Sequence, residues 1–148
     1  MDILISVRGI LFNKSKEKIL IFQRNINERH DKLKWEFVGG RPNHNSESFE
    51  EVLIREFEEE TGLDNFSFLS KIPYISTFQV EHGVYTGYRF IQIIYPCQVD
   101  FTEDIVISSE HESWKWIYFQ DFEIAEMSLP IQKCGDSLKK YILKIHES

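Results

Sequence analysis

The spacing of apolar and polar positions changes period several times along the 148-residue chain, and each change predicts an element. Ile3–Phe12 is rich in β-branched and apolar residues and reads as a strand. Asn13–Glu17 is a polar turn, and Lys18–Arg24 returns as a second strand, so the two suggest a hairpin. Residues 25–34 form a polar, charged loop. Residues 35–38 form a short strand that delivers Gly39 and Gly40. No helix follows the first strand, which argues against a simple strand–helix–strand start. Further on, residues 66–80 have strand-like content, with Pro73 marking an edge or a bulge. Glu81-His82-Gly83 is a turn, and residues 85–99 make a long aromatic strand with a break expected at Pro96. An acidic loop over 100–109 precedes a last strand at 114–119. Residues 121–127 suggest a short helix, and 129–146 a C-terminal helix with Leu138, Tyr141, Ile142 and Ile145 as its apolar stripe.

One stretch has helical period and unusual charge. Ser48 is placed to cap it, and Glu51 completes a capping-box pattern three residues on. Thr61-Gly62 supplies the stop. At about 100° per residue, Phe49, Leu53 and Phe57 share an apolar stripe, while Glu50, Glu51 and Glu58 fall on the opposite side. Glu56, Glu59 and Glu60 stand at i, i+3 and i+4 to one another and share a face at the stripe's edge. Carboxylates crowded beside a core face repel one another and resist desolvation. A hard divalent cation relieves both costs, and carboxylate oxygen is what Mg²⁺ accepts.

Composition narrows the function classes. The length predicts one domain spanning 1–148, with enough apolar residues (42%) for a core. A net charge of −7 disfavours binding long nucleic acid through its phosphates, but a bound metal can reverse the local sign for a small phosphorylated substrate. Cys97 and Cys134 form neither a disulfide framework nor a metal spacing, which favours a cytoplasmic setting with both thiols reduced. Asp2 and Arg8 interrupt the first apolar run, so no signal peptide is expected, and no run is long enough to span a membrane.

Gly40, Glu47 and the run Arg55-Glu56-Phe57-Glu58-Glu59-Glu60-Thr61-Gly62-Leu63 resemble the Nudix box: a glycine, a spaced glutamate, then Arg-Glu-apolar-x-Glu-Glu-x-Gly-apolar. Seven residues between Glu47 and Arg55 fit that pattern, whereas six between Gly40 and Glu47 exceed the usual five. Asn43 stands where many members carry a loop glutamate. The resemblance implies an α/β/α sandwich with a mixed β-sheet between helices. It also implies Mg²⁺ or Mn²⁺ bound by Glu56, Glu59, Glu60 and the Gly39 carbonyl. Arg55 would orient the cluster by pairing with Glu47 or Glu56, with Glu47 as structural support. A general base is expected on a facing loop. Glu110 is the first choice, with Glu112, Glu103, Asp104 and the helix residue Glu59 as rivals. Arg24, Gly40 and Arg41 are candidate substrate contacts. Tyr74, Phe78, Tyr85 and Tyr88 are candidates to stack on a base, although aromatics on strands are more often core.

The same resemblance implies hydrolysis of a diphosphate linkage in a nucleoside diphosphate joined to a further group. Residues 34–40 look like the MutT-type branch, which implies a nucleoside triphosphate, oxidised or not, cut to monophosphate and pyrophosphate. Val38 replaces the proline common before the glycines, and no asparagine near 127–132 offers to read a purine edge. Phe78 and Val80 stand near the positions where the ADP-ribose branch favours proline and the dinucleoside polyphosphate branch tyrosine. ADP-ribose or a nucleoside diphosphate sugar is the alternative substrate, and a non-catalytic nucleotide-binding regulatory module is the alternative class. The expected partner is a small nucleotide, with no membrane; a homodimer is left open.

Overall fold

The computed structural model of the chain describes residues 1–43, 46–100 and 105–148. Its strands are β1 (Ile3–Phe12), β2 (Lys18–Arg24), β3 (Trp35–Glu36), β4 (Val38–Gly40), β5 (Ser67–Phe68), β6 (Tyr74–Gln79), β7 (Arg89–Gln98) and β8 (His111–Tyr118). Helix α1 covers Phe49–Thr61, α2 Leu129–Gln132 and α3 Asp136–Glu147. Among the described residues the strands join one mixed sheet in which β3-β2-β1-β7-β5 form the main path. β4 pairs with β1, β6 with β7 and β8 with β2. The chain has an α/β fold with helices on both sides of that sheet.

The sheet is held by long-range pairing. β1 runs parallel to β7 over its whole length, from Ile3↔Arg89 to Phe12↔Gln98. The expected β1–β2 hairpin pairs only beside its turn, at Phe12↔Ile19; further along, β2 pairs with β3, while β8 runs along its other edge. Strand alternation sends β1 side chains to two cores. Val7 and Leu11 pack with Val52, Leu53 and Phe57 of α1. Ile10 and Phe12 pack with Leu138 and Ile142 of α3 on the opposite face.

Several boundaries differ from the sequence reading. β7 begins at Arg89 and runs through Pro96, whose carbonyl accepts from the Leu69 amide. The 66–80 segment is two short strands separated by residues 69–73. The expected helix at 121–127 is a pair of 3₁₀ turns, Phe119–Asp121 and Ile124–Glu126. The C-terminal helix is broken at Gly135, which divides α2 from α3. No helix among the described residues is long and apolar enough to cross a membrane.

Candidate active site

Helix α1 is fixed at both ends by its own sequence. Ser48 accepts from the Glu51 amide while the Glu51 carboxylate accepts from the Ser48 amide, so the capping box closes. Gly62 adopts φ 73° and its amide returns to the Glu58 carbonyl, a left-handed stop that a side chain would oppose. Val52, Leu53 and Phe57 are buried, whereas Phe49 is partly exposed and Val52 takes its expected place in the packed face. With the helix seated this way, Glu60 is pressed inward at 6% exposure and Glu56 lies at the rim of the core.

β4 runs beside α1 and completes a polar cleft. The Gly39 amide donates to Glu60 Oε2 at 3.1 Å. A Cβ on Gly40 would lie 2.4 Å from Glu56 Oε1, so only a glycine lets the strand approach the carboxylate this closely. The cleft, of about 450 Å³, is lined by Gly39, Gly40, Glu56, Glu59, Glu60 and Glu110, with Asn43, Arg55 and Ser108.

Its electrostatics are those of crowded carboxylates short of counter-charge. Burial pushes the Glu60 carboxyl up to about 8; nearby Arg8 opposes this and Glu56 adds to it. Burial also raises Glu56, against the pull of Arg55, with Glu59 and Glu110 contributing repulsion. Arg55 donates from Nε to Glu47 Oε2 at 2.9 Å and from Nη1 to Glu56 Oε1 at 2.8 Å, and Nη2 reaches the Arg41 carbonyl. The lengthened loop therefore still brings Glu47 to Arg55. Glu59 projects outward, its side chain 59% exposed, with Arg55 at 3.6 Å. Among the described residues no three His, Cys, Asp or Glu side chains come together closely enough to hold a metal ion, so Glu59 stands apart from Glu56 and Glu60. The carboxylate oxygens that line the cleft are the ligand type that Mg²⁺ and Mn²⁺ take.

Of the candidate site residues, Arg55, Glu56, Glu59, Glu60, Gly39, Gly40 and Glu110 line this cleft. Arg24 and Arg41 lie elsewhere. Arg24 commits its guanidinium to Glu36, Glu28 and the His30 carbonyl. Arg41 donates to the Tyr85 hydroxyl at 3.4 Å and lies over its ring. Of the rivals to Glu110, Glu112 accepts from the Ile26 amide, while Glu103 and Asp104 lie outside the described residues, as do His44 and Asn45 of the box loop.

A second cavity, of about 610 Å³, is mostly apolar. Leu4, Phe78, Phe90, Tyr85, Leu129 and Pro130 contribute to its wall, and Phe78 stacks on Phe90 with centroids 5.0 Å apart. Of the four candidate stacking residues, Phe78 and Tyr85 line it; Tyr88 sits edge-on to Tyr85, and Tyr74 lines a separate groove against α3. Arg41 joins the two regions, with its backbone tied to Arg55 and its side chain to Tyr85.

Sequence reasoning missed Glu36 and Arg8, and missed that His111 meets them. Glu36 is buried with Arg24 Nη1 at 2.9 Å, His111 Nε2 at 2.9 Å and Arg8 Nη1 at 3.7 Å. Burial alone would raise its carboxyl, but Arg8, His111 and Arg24 together lower it to about 2. A lone acidic residue between Trp35 and Phe37 on a short apolar strand was the available signal.

This two-layered cover, its central mixed sheet and the carboxylate cleft beside two glycines define the class. The NUDIX domain model matches residues 3–135. The chain belongs to this family, with the fold and box of a MutT-type Nudix hydrolase. No curated protein matches it. Among solved structures it is similar to a MutT protein from Methanosarcina mazei, at 23% identity and TM-score 0.66, over 99% of this chain and 94% of the other. The dihydroneopterin triphosphate pyrophosphohydrolase of E. coli aligns at 14% identity and TM-score 0.70, over 97% and 99%. The NUDIX domain of Shewanella oneidensis NrtR, complexed with ADP ribose, aligns at 18% identity and TM-score 0.66, over 95% and 88%.

Proposed function

We propose that this protein is a divalent-metal-dependent hydrolase that cuts a phosphoanhydride in a nucleotide, with a nucleoside triphosphate as first substrate and monophosphate plus pyrophosphate as products. The observation that carries the reading is the approach of Glu56 and Glu60 to the Gly39–Gly40 strand, where burial raises both carboxyls and no cation among the described residues neutralises both. Glu56, Glu60 and the Gly39 carbonyl would hold Mg²⁺ or Mn²⁺, with Glu59 completing the set from the rim. The ion would supply neutralisation of charge on the phosphate oxygens.

The chain's own residues do the remainder. Arg55, braced by Glu47, keeps Glu56 turned towards the cleft. Glu110 takes the proton of the attacking water as oxygen bonds to phosphorus and the bridging P–O bond breaks. Gly40 leaves room for the phosphate chain, and Arg41, between cleft and cavity, meets its charge. The apolar cavity takes the base against Phe78 and Phe90. Arg24 shapes that wall from behind, since its guanidinium is already occupied.

The test is a product-identified screen with Mg²⁺ or Mn²⁺ over nucleoside triphosphates, oxidised analogues, dinucleotides, ADP-ribose and diphosphate sugars. Pyrophosphate release from a triphosphate, lost in Glu59→Gln and Glu60→Gln together, supports the reading. Preferential cleavage of ADP-ribose or a diphosphate sugar replaces the substrate. Tight nucleotide binding with no release of any product indicates a binding module instead.

A further inference from the structure

Four polar side chains from four strands meet behind the cleft wall: Arg8 of β1, Arg24 of β2, Glu36 of β3 and His111 of β8. Glu36 is their common partner. Its carboxyl is held ionised, so it can only accept, and His111 donates through Nε2 to Oε1. The other ring nitrogen, Nδ1, is buried without a partner among the described residues. An orphaned buried nitrogen is a cost that a purely apolar ring at this position would avoid.

The backbone shows what that cost accompanies. β8 pairs with β2 in register from Tyr118 to Ser113, and then His111 stands opposite Arg24, so Glu112 is extra. Such a bulge redirects the strand. Immediately before it, the His111 amide bonds to the Ser108 carbonyl at 3.2 Å and the Glu110 amide to Ser108 Oγ at 3.4 Å. This turn sets Glu110 at the cleft. Outside that turn, His111 is the nearest buried anchor: its ring is 5.1 Å from Phe22 and its Nε2 is on Glu36.

We infer that Glu36 and His111 are positioning residues: their hydrogen bond pins the first residue of β8 and thereby holds the Glu110 carboxylate over the cleft. The inference rests on Glu110 acting as the base. Glu36 and His111 touch no reacting atom; they act through Glu110.

The test uses the full chain with His111→Phe, which keeps the ring and removes both nitrogens, and His111→Gln, which returns an N–H near the place of Nε2. His111→Phe should lower kcat by about tenfold or more and change KM less than about threefold, and it should lower the urea midpoint somewhat because it leaves buried Glu36 Oε1 without its donor. His111→Gln should recover part of kcat. In a Glu110→Gln background the His111→Phe substitution should change kcat less than about twofold, because the residue it positions is already disabled. The Glu110 and His111 amides should exchange faster in His111→Phe while those of β1 and β7 keep their rates. An unchanged kcat, an equal fall in both backgrounds, or unchanged exchange at 110–111 would overturn the inference. A wild-type chain that hydrolyses nothing would sink the proposed activity, and amide exchange alone would then decide whether the tether exists.

Discussion

Glu60 and Gly40 concentrate the chemistry at single residues. A folded-state pKa near 8, against 4.5 for an ordinary glutamate, means that the folded chain keeps a proton the unfolded chain has released. Stability linked to Glu60 is therefore full below pH 4.5 and is lost as pH rises through about 8. In chelator, the urea midpoint of the wild type should fall over that window relative to Glu60→Gln, and Mg²⁺ or Mn²⁺ at the upper end should restore it. Gly40→Ala should force Glu56 away, since the new Cβ would sit 2.4 Å from its oxygen. Turnover should drop by about 10²-fold, the scale of a displaced reacting group, with the fold intact by circular dichroism. These residues were legible because the box places them at fixed spacing. Glu36 and His111 were not. They are 75 positions apart, and only the β2–β3 and β2–β8 pairings bring them together.

At the scale of elements, local signals were read correctly and tertiary ones were not. α1 begins after Ser48 and ends before Gly62 because cap and stop act within one turn of the chain. Ser48→Ala should cost about 1 kcal/mol in chemical denaturation, and adding Glu51→Ala should cost less than the sum of the two alone, because the two side chains form one box. The expected break at Pro96 failed for a tertiary reason. Pro96 faces Leu69, between the last pair of β5 and the first pair of β6, so its missing amide falls at a gap in the pairing on that side. The C-terminal segment looked like one helix because its apolar period continues through 131, 138 and 142, yet Gly135 at φ 63° divides it.

For the whole molecule, the sheet sets two regions side by side: an acidic cleft under α1 and an apolar cavity between β6, β7 and the 29–31 and 82–85 segments. The α/β class followed from strands flanking a central helix. The parallel β1–β7 pair that carries both regions joins segments more than 80 residues apart and has no signature in either strand alone. If the cavity takes the base, Phe78→Ala should raise KM for the nucleotide about tenfold, ~1.4 kcal/mol of lost stacking, and move kcat less than about threefold. Steady-state kinetics on the preferred substrate separates the two parameters.

The most direct measurement is divalent-ion dependence of nucleoside triphosphate hydrolysis in chelator-treated wild type and in Glu56→Gln/Glu60→Gln, with products resolved by chromatography. The account predicts no turnover without added ion, saturable release of pyrophosphate with Mg²⁺ or Mn²⁺, and loss of about 10³-fold or more in the double variant. Hydrolysis that proceeds in chelator, or that survives in the double variant at the wild-type rate, would contradict it.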